Sequence, residues 1–137
     1  MQKITTKYNA KVLLVEDYIL NLQLATEMLE LMDCVVDPAE SGQEALEQFD
    51  SNVYDIIFMD INMPDMDGIQ VTKLIRAKEK EAGKEYTPIV AITGMSAEVA
   101  KEKCIEAGMN DFISKPLMSS DLDRVLSKLL QEHSNPL

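Results

Sequence analysis

The chain has 137 residues, of which 46% are hydrophobic, so it can form one sizeable core and is too short for two ordinary domains. Its 24 acidic and 13 basic residues give a net charge of −11, which argues against binding to nucleic acid. No stretch approaches the roughly 18 apolar residues of a membrane span, and the N-terminus lacks the apolar core of a signal peptide. We therefore expect a cytoplasmic domain without membrane contact, covering residues 1–137, with a core at about 10–132 between flexible tails.

The two cysteines do not form a recognisable metal motif. Cys34 and Cys104 are 70 residues apart, and no other cysteine or histidine lies near them at the spacing of metal ligands. Two buried, reduced thiols in a reducing compartment are therefore the expected state.

Strand and helix patterns alternate along the chain. Strands are predicted at 12–15, 34–36, 54–59, 88–92 and 111–114. Helices are predicted at about 19–32, from Ser41, at 68–82 and at 97–107. Ser119 or Ser120 is expected to cap a last helix that runs to about 131, with a frayed tail at 133–137. Glu44 three residues after Ser41 is typical of a capping box, and Gly83 and Gly108 are expected helix stops. Five strand–helix units predict a parallel sheet that is covered on both faces, with its functional site beyond the carboxyl ends of the strands.

The most informative segment is the run 56–68, in which a continuous apolar stretch ends in Asp60. The stretch predicts a strand buried on both faces, and Pro64, Asp67 and Gly68 behind it are typical of a turn. A carboxylate in this position is costly to desolvate unless it is paired or binds a metal. Asp60 is therefore a candidate functional residue.

Polar residues also follow three other predicted strands. Glu16 and Asp17 come after the first strand, Thr93 after the fourth and Lys115 after the fifth. Phosphoryl transfer needs an in-line nucleophile and groups that neutralise charge on the phosphoryl oxygens. Acids, a hydroxyl and an ammonium at one edge of the sheet supply both requirements.

At this point the sequence resembles the receiver domain of two-component response regulators, over about residues 10–132. The resemblance is carried by the pair Glu16-Asp17, by Asp60 with the turn 63–68 behind it, by Thr93, and by Lys115-Pro116. It implies an α/β fold of flavodoxin-like (βα)5 type, in which a doubly wound five-stranded parallel sheet has the strand order 2-1-3-4-5.

The resemblance also implies roles for single residues. Asp60 would accept the phosphoryl group, and Mg²⁺ would be held by Asp17, Asp60 and the backbone carbonyl of Asn62, with Glu16 acting through water. Such a domain is not an enzyme with a released product, because it catalyses its own phosphorylation and dephosphorylation.

Further implied roles concern the switch. Lys115 would pair with the phosphoryl oxygens, and Thr93 would hydrogen-bond one of them. A cis bond is expected between Lys115 and Pro116, and Phe112 matches the aromatic residue whose rotamer follows phosphorylation in this family.

Simpler explanations exist for each residue taken alone. Asp60 could cap a turn, Glu16 and Asp17 could be solvated acids, and Lys115 could be a surface lysine. Thr93 could be an ordinary hydroxyl at the end of a strand, and Phe112 could be a core residue. A calcium EF-hand starting at Asp60 is excluded because its twelfth position is Val71 rather than Glu. A phosphatase of the haloacid dehalogenase type would need a second Asp where Asn62 stands. A degenerate receiver that only binds other proteins remains the other alternative.

The segment 94–117 looks most like receivers fused to hybrid histidine kinases, and no output domain is recognisable, so we expect a stand-alone receiver or one excised from a larger protein. The expected partner is a histidine kinase or a histidine-bearing phosphotransfer domain.

The first predicted helix has more apolar surface than an ordinary surface helix, since its apolar residues cover an arc of roughly 200°. An ordinary stripe is about 100° wide. The surplus could mean deep burial beside the last helix, or a docking surface for the partner. For docking, the residues nearest the acids are the candidates: Tyr18, Ile19 and Leu22.

Overall fold

The computed structural model describes residues 7–64 and 66–134, in which strands and helices alternate. The strands are β1 (Lys11–Val15), β2 (Val35–Ala39), β3 (Ile56–Asp60), β4 (Ile89–Thr93) and β5 (Asp111–Ser114). The helices are α1 (Ile19–Leu31), α2 (Gly42–Ser51), α3 (Gly68–Ala82), α4 (Ala97–Ala107) and α5 (Ser119–Ser134).

The five strands form one parallel sheet in the order β2-β1-β3-β4-β5, which confirms the expected fold and strand order. The chain therefore reverses its direction of winding between β1 and β3. Val15 of β1 lies beside Met59 of β3 in this register, and Thr93 of β4 lies beside Ser114 of β5. The carboxyl ends of these four strands consequently meet at one edge of the sheet.

Alternate residues of the strands point to opposite faces of the sheet and build two hydrophobic cores. On one face Leu14 and Phe58 pack with α1 and α5, and on the other face Leu13 and Met59 pack with α2, α3 and α4. All five residues of β3 and of β4 are buried, as expected for central strands of a doubly covered sheet. Fully burying each such leucine or phenylalanine stabilises the fold by about 2 kcal/mol.

The helix boundaries follow local signals that were visible in the sequence. Ser41 Oγ accepts the backbone N–H of Glu44 at 3.1 Å, and the Glu44 carboxylate accepts the N–H of Glu40 at 3.2 Å. Gly83 and Gly108 end α3 and α4 in the left-handed region, with φ of 68° and 93°. These capping predictions are confirmed.

Several predicted boundaries were wrong, those of β1, β3 and β4 by only one or two residues. β2 runs to Ala39 rather than to residue 36, because an edge strand does not need a continuous apolar pattern. α5 begins at Ser119, so Met118 rather than a serine precedes it, and Asp121 Oδ2 accepts the Met118 N–H at 3.2 Å. The predicted frayed tail is helical at residues 133–134, and its remainder lies outside the described residues, as does most of the N-terminal tail.

Within the described ranges, no helix is long and apolar enough to cross a membrane. Cys34 and Cys104 are both buried and free, as predicted, and burial raises the pKa of each thiol.

Candidate functional site

The side chains at the carboxyl ends of β1, β3, β4 and β5 are brought together by the parallel register. Glu16 and Asp17 follow β1, Asp60 is the last residue of β3, and Thr93 is the last residue of β4. Lys115 follows β5, and its N–H donates to the Thr93 carbonyl at 2.8 Å, which extends the pairing of β4 with β5 by one residue. The site therefore lies at the carboxyl edge of the sheet, where β1 and β3 mark the reversal of strand order.

Three carboxylates converge at this edge. Each of Glu16, Asp17 and Asp60 offers an oxygen that lies within 4.8 Å of the other two. Glu16 and Asp60 are only 4% and 1% exposed, whereas Asp17 is more open to solvent. Buried like charges repel each other, so this arrangement needs a cation or protons for its stability.

Lys115 supplies one positive charge to the cluster. Its Nζ lies 3.3 Å from Asp60 Oδ1, and the same oxygen accepts the backbone N–H of Asn62 at 3.1 Å. The Lys115 side chain is one-third exposed, so the ammonium reaches the buried carboxylate from the solvent side. The peptide bond between Lys115 and Pro116 is cis, as expected from the resemblance.

Burial raises the pKa of Glu16 from its ordinary value of 4.5 to about 7. The neighbouring Asp60 raises this pKa further, while the Tyr18 N–H, which donates to Glu16 Oε2 at 3.1 Å, and the Lys115 ammonium lower it. Without a bound cation, Glu16 is thus protonated in part of the molecules at neutral pH. A divalent cation would favour the carboxylate form instead.

The donor set fits Mg²⁺. This ion prefers oxygen ligands, is usually bound through one or two carboxylates, and keeps several of its waters. Glu16, Asp17 and Asp60 supply more negative charge than the ammonium of Lys115 neutralises.

The turn behind Asp60 depends on glycine. A Cβ atom on Gly68 would lie 2.4 Å from the Asp60 carbonyl oxygen, so no other residue could let α3 start this close to β3. Asp67 caps α3, since its Oδ1 accepts the Gln70 N–H at 2.8 Å. This close approach of α3 to the backbone of Asp60 was not predicted from the sequence, which indicated only that Gly68 turns the chain and begins a helix.

Thr93 is fully buried, and its hydroxyl oxygen accepts the Met95 N–H at 3.0 Å. The segment that follows Thr93 is open: Gly94 has free space on its Cβ side, and Ser96 makes no side-chain capping bond to α4. Phe112 on β5 is half-buried and packs against the core that contains α4. The structure thus places a buried hydroxyl and an open loop at the carboxyl end of β4, and a partly exposed aromatic ring on the neighbouring strand β5.

One of the three predicted docking residues was wrong. Leu22 is 5% exposed and belongs to the core on the α1 side of the sheet, so a partner cannot contact it. Tyr18 and Ile19 are exposed, as are three leucines of α1 that were not predicted to dock a partner, Leu20, Leu24 and Leu31.

A cavity of about 410 Å³, lined by Leu24 among the exposed residues of α1, lies between α1 and the segment that connects β5 to α5. Its walls are mainly apolar and include Leu24, Met28, Pro116 and Leu117, and one end of it is formed by Glu16 and Lys115. The cavity therefore joins the acidic cluster to the exposed apolar side of α1.

The chain belongs to the response regulator receiver domain family, whose model matches residues 12–127. It is 44% identical over 129 residues to hybrid signal transduction histidine kinase L of Dictyostelium discoideum. That match covers 90% of this chain and 7% of the kinase, so the chain spans a small part of the length of this relative. It is a receiver domain of the phosphorelay type, and neither the phosphatase nor the degenerate-receiver alternative is favoured.

Two solved structures support the same assignment. The first is the receiver domain of sensor histidine kinase PA1611 from Pseudomonas aeruginosa, which has a magnesium ion coordinated in its active-site cleft. It is 33% identical to this chain with a TM-score of 0.78, and the match covers 88% of this chain and 97% of that chain. The second is the co-crystal structure of the Saccharomyces cerevisiae histidine phosphotransfer protein Ypd1 with the receiver domain of its response regulator Ssk1. There the identity is 28% and the TM-score 0.85, over 98% of this chain and 96% of the matched chain.

Proposed function

We propose that this receiver domain accepts a phosphoryl group on Asp60. The observation that carries the proposal is the position of its buried carboxylate, at the end of β3, within the acidic cluster and 3.3 Å from Lys115 Nζ. An Asp60 oxygen attacks the phosphorus of a phosphohistidine. As the new O–P bond forms, the P–N bond breaks and the imidazole leaves with the electron pair.

The other residues of the site neutralise and orient the transferred group. The Lys115 ammonium contacts Asp60, so it can also pair with an oxygen of a phosphoryl group bound there. This pairing would stabilise the negative charge on the phosphoryl oxygens during the transfer. Mg²⁺ would be held by Asp17, Asp60 and the Asn62 carbonyl, with Glu16 acting through water, and when bound it would supply the remaining positive charge. Water that reaches the acyl phosphate would return the domain to its starting state, so the domain acts as a signalling switch.

The conformational signal starts at Thr93. Its hydroxyl oxygen now accepts the Met95 N–H, and its hydroxyl proton can donate to a phosphoryl oxygen on Asp60. A shift of Thr93 toward the phosphoryl group would move the open loop 94–96 and vacate space into which the half-buried Phe112 ring can turn.

The partner is a histidine phosphotransfer domain or a histidine kinase, which docks on the N-terminal part of α1. Tyr18 and Ile19 are 55% and 47% exposed, and the apolar cavity beside α1 opens next to the acidic cluster. A helix that presents phosphohistidine in line with Asp60 must lie against this rim, where its apolar side chains can be buried. The partner of the yeast receiver named above is of this kind.

The cytoplasmic location also stays a prediction.

A small phosphodonor tests the proposed chemistry without any partner protein. Incubation with acetyl phosphate and Mg²⁺ should add one acid-labile phosphate per chain by intact mass, and Asp60→Asn should add none. Labelling of Asp60→Asn to the extent of the unsubstituted protein would contradict the assignment.

The docking surface is tested by comparing two donors. Ile19→Glu should slow transfer from a phosphorylated histidine phosphotransfer domain by about tenfold or more, and leave labelling by acetyl phosphate unchanged. Leu31→Glu is the matched control, because Leu31 is also exposed on α1 but lies at the end of the helix far from the acids. Equal loss with both donors, or equal effects of the two substitutions, would refute docking at this rim.

A further inference from the structure

A buried ion pair lies at the edge of the sheet opposite to the acidic cluster. Arg76 Nη1 and Glu79 Oε1 on α3 are 2.7 Å apart, and their side chains are only 11% and 1% exposed. The second oxygen of Glu79 accepts the Thr87 N–H at 2.7 Å. Because burying two charges is costly, the contacts that compensate for the burial indicate what the pair holds in place.

The guanidinium of Arg76 joins three segments of the chain. Its Nε donates to the Gly108 carbonyl at 2.9 Å, its Nη1 to the Thr87 carbonyl at 2.8 Å, and its Nη2 to Asn110 Oδ1 at 3.0 Å. Thr87 precedes β4, whereas Gly108 and Asn110 connect α4 to β5. The Tyr86 ring covers the guanidinium with 5.0 Å between the guanidinium carbon and the ring centroid. A lysine could not make this set of contacts, because its ammonium is a single point of charge.

The two ends of α4 are consequently held very differently. At the C-terminal end, Cys104 and Ala107 are buried, and a Cβ atom on Gly108 would lie 3.3 Å from Arg76 Cγ. At the N-terminal end, residues 96–99 are all exposed, and Ser96 makes no capping bond. The open end is the one that follows Thr93.

We infer that Arg76 is a positioning residue that makes the C-terminal end of α4 a fixed pivot. This inference rests on the proposed function, because the movement starts when Thr93 responds to the phosphoryl group. With Gly108 held by Arg76, a shift of the loop 94–96 cannot translate α4 as a whole and must tilt it. The change at the surface of α4 is then greatest near Ala97 and smallest near Ala107, which limits where a downstream partner can detect phosphorylation.

Amide hydrogen exchange along α4 tests the pivot, with and without acetyl phosphate and Mg²⁺. In the unsubstituted protein, phosphorylation should change exchange by about tenfold at residues 94–100 and by less than about twofold at 104–109. In Arg76→Lys, exchange at residues 104–109 should rise about tenfold before phosphorylation. Phosphorylation of this variant should then change exchange at both ends of α4 to a similar extent. Lys78→Met is the matched control, because Lys78 lies on α3 and pairs with Asp50 at the surface at 3.2 Å.

A merely structural role of Arg76 would lower the melting temperature and leave the gradient along α4 unchanged, and that result would overturn the inference. A uniform response of α4 in the unsubstituted protein would overturn it too. Phosphate uptake is measured separately by intact mass, so a failure of the proposed function is recognised on its own. In that case the comparison of unphosphorylated Arg76→Lys with the unsubstituted protein still tests whether Arg76 holds the C-terminal end of α4. If Arg76→Lys does not fold, Asn110→Ala removes the oxygen that accepts both Nη2 and the Ile89 N–H, and Asn110→Asp keeps an oxygen there as its control; only Asn110→Ala should raise exchange at 104–109.

Discussion

Glu16 should make the stability of the metal-free protein fall as the pH rises toward neutrality. Burial raises the pKa of Glu16 from 4.5 to about 7, so between these values the folded protein binds a proton that the unfolded chain has released. By linkage, the free energy of unfolding decreases with pH wherever the folded state binds more protons. The contribution of Glu16 is therefore complete below about pH 4.5 and is lost as the pH rises through about 7.

The magnitude follows from the difference between the two pKa values. Each pH unit corresponds to about 1.4 kcal/mol, so a rise from 4.5 to about 7 corresponds to about 3 kcal/mol. The pH dependence of stability sums over all titratable groups, so the contribution of Glu16 must be isolated by substitution. Glu16→Gln keeps the size of the side chain but cannot ionise, and Glu27→Gln, an exposed glutamate on α1, is the control.

The assay is urea denaturation of the three proteins from pH 4.5 to pH 8 without divalent ions. The free energy of unfolding of Glu16→Gln relative to the unsubstituted protein should increase by about 3 kcal/mol over this range, and Glu27→Gln should show no such trend. Millimolar Mg²⁺ should remove most of the trend, because a bound cation favours the ionised carboxylate. If the free energies of unfolding of Glu16→Gln and of the unsubstituted protein change with pH in parallel without metal, folding does not raise the pKa of Glu16.

Two further predictions concern the switch and the core. Thr93→Ala should still accept one phosphate, but phosphorylation should no longer cause most of the change in amide chemical shifts around Phe112, because the hydroxyl that links Asp60 to Phe112 is gone. A change in these shifts on phosphorylation of Thr93→Ala as large as in the unsubstituted protein would refute the coupling. Thr72→Val should raise the free energy of unfolding by about 1 kcal/mol, because Thr72 Oγ1 is buried and makes no hydrogen bond to the described residues. Chemical denaturation measures this gain, and a loss of stability would show that the hydroxyl has a partner.

The fold and the centre of the site were predictable because each rests on a local pattern. The apolar run of β3 can be satisfied only by burial on both faces, and parallel strands then bring their carboxyl ends to one edge. Asp60, Thr93 and Lys115 stand directly at such ends, so their proximity followed from the alternation of strands and helices. β2 was predicted too short because it is an edge strand that carries Asp37 and Pro38 and reads as polar.

The orientation of α1 could not be predicted in the same way. At 100° per residue, Leu20, Leu24 and Leu31 fall within an arc of about 40° that faces away from the stripe formed by Leu22 and its buried neighbours. Periodicity gives the angles between these residues but not the direction of the sheet. The exposed stripe and the buried stripe therefore look like one wide apolar arc in the sequence. Leu22 belongs to the buried stripe but was assigned to the exposed one.

The Arg76–Glu79 network gave no sequence signal. The two residues are spaced i, i+3 within a charged run, a pattern that is typical of an exposed helix face. Their burial arises from loops that fold over α3 and present backbone carbonyl groups, such as that of Gly108, to the guanidinium. Contacts of side chains with distant backbone atoms are set by the tertiary fold and leave no periodicity to detect.

The central claim is tested most directly by locating the phosphate on the chain. Borohydride reduces an acyl phosphate to an alcohol, so treatment of the phosphorylated protein should convert the acceptor aspartate to homoserine. Peptide mass spectrometry should find this conversion at position 60 alone, and only after incubation with both a phosphodonor and Mg²⁺. Conversion at Asp17 or at any other acidic residue, with Asp60 unchanged, would contradict the account.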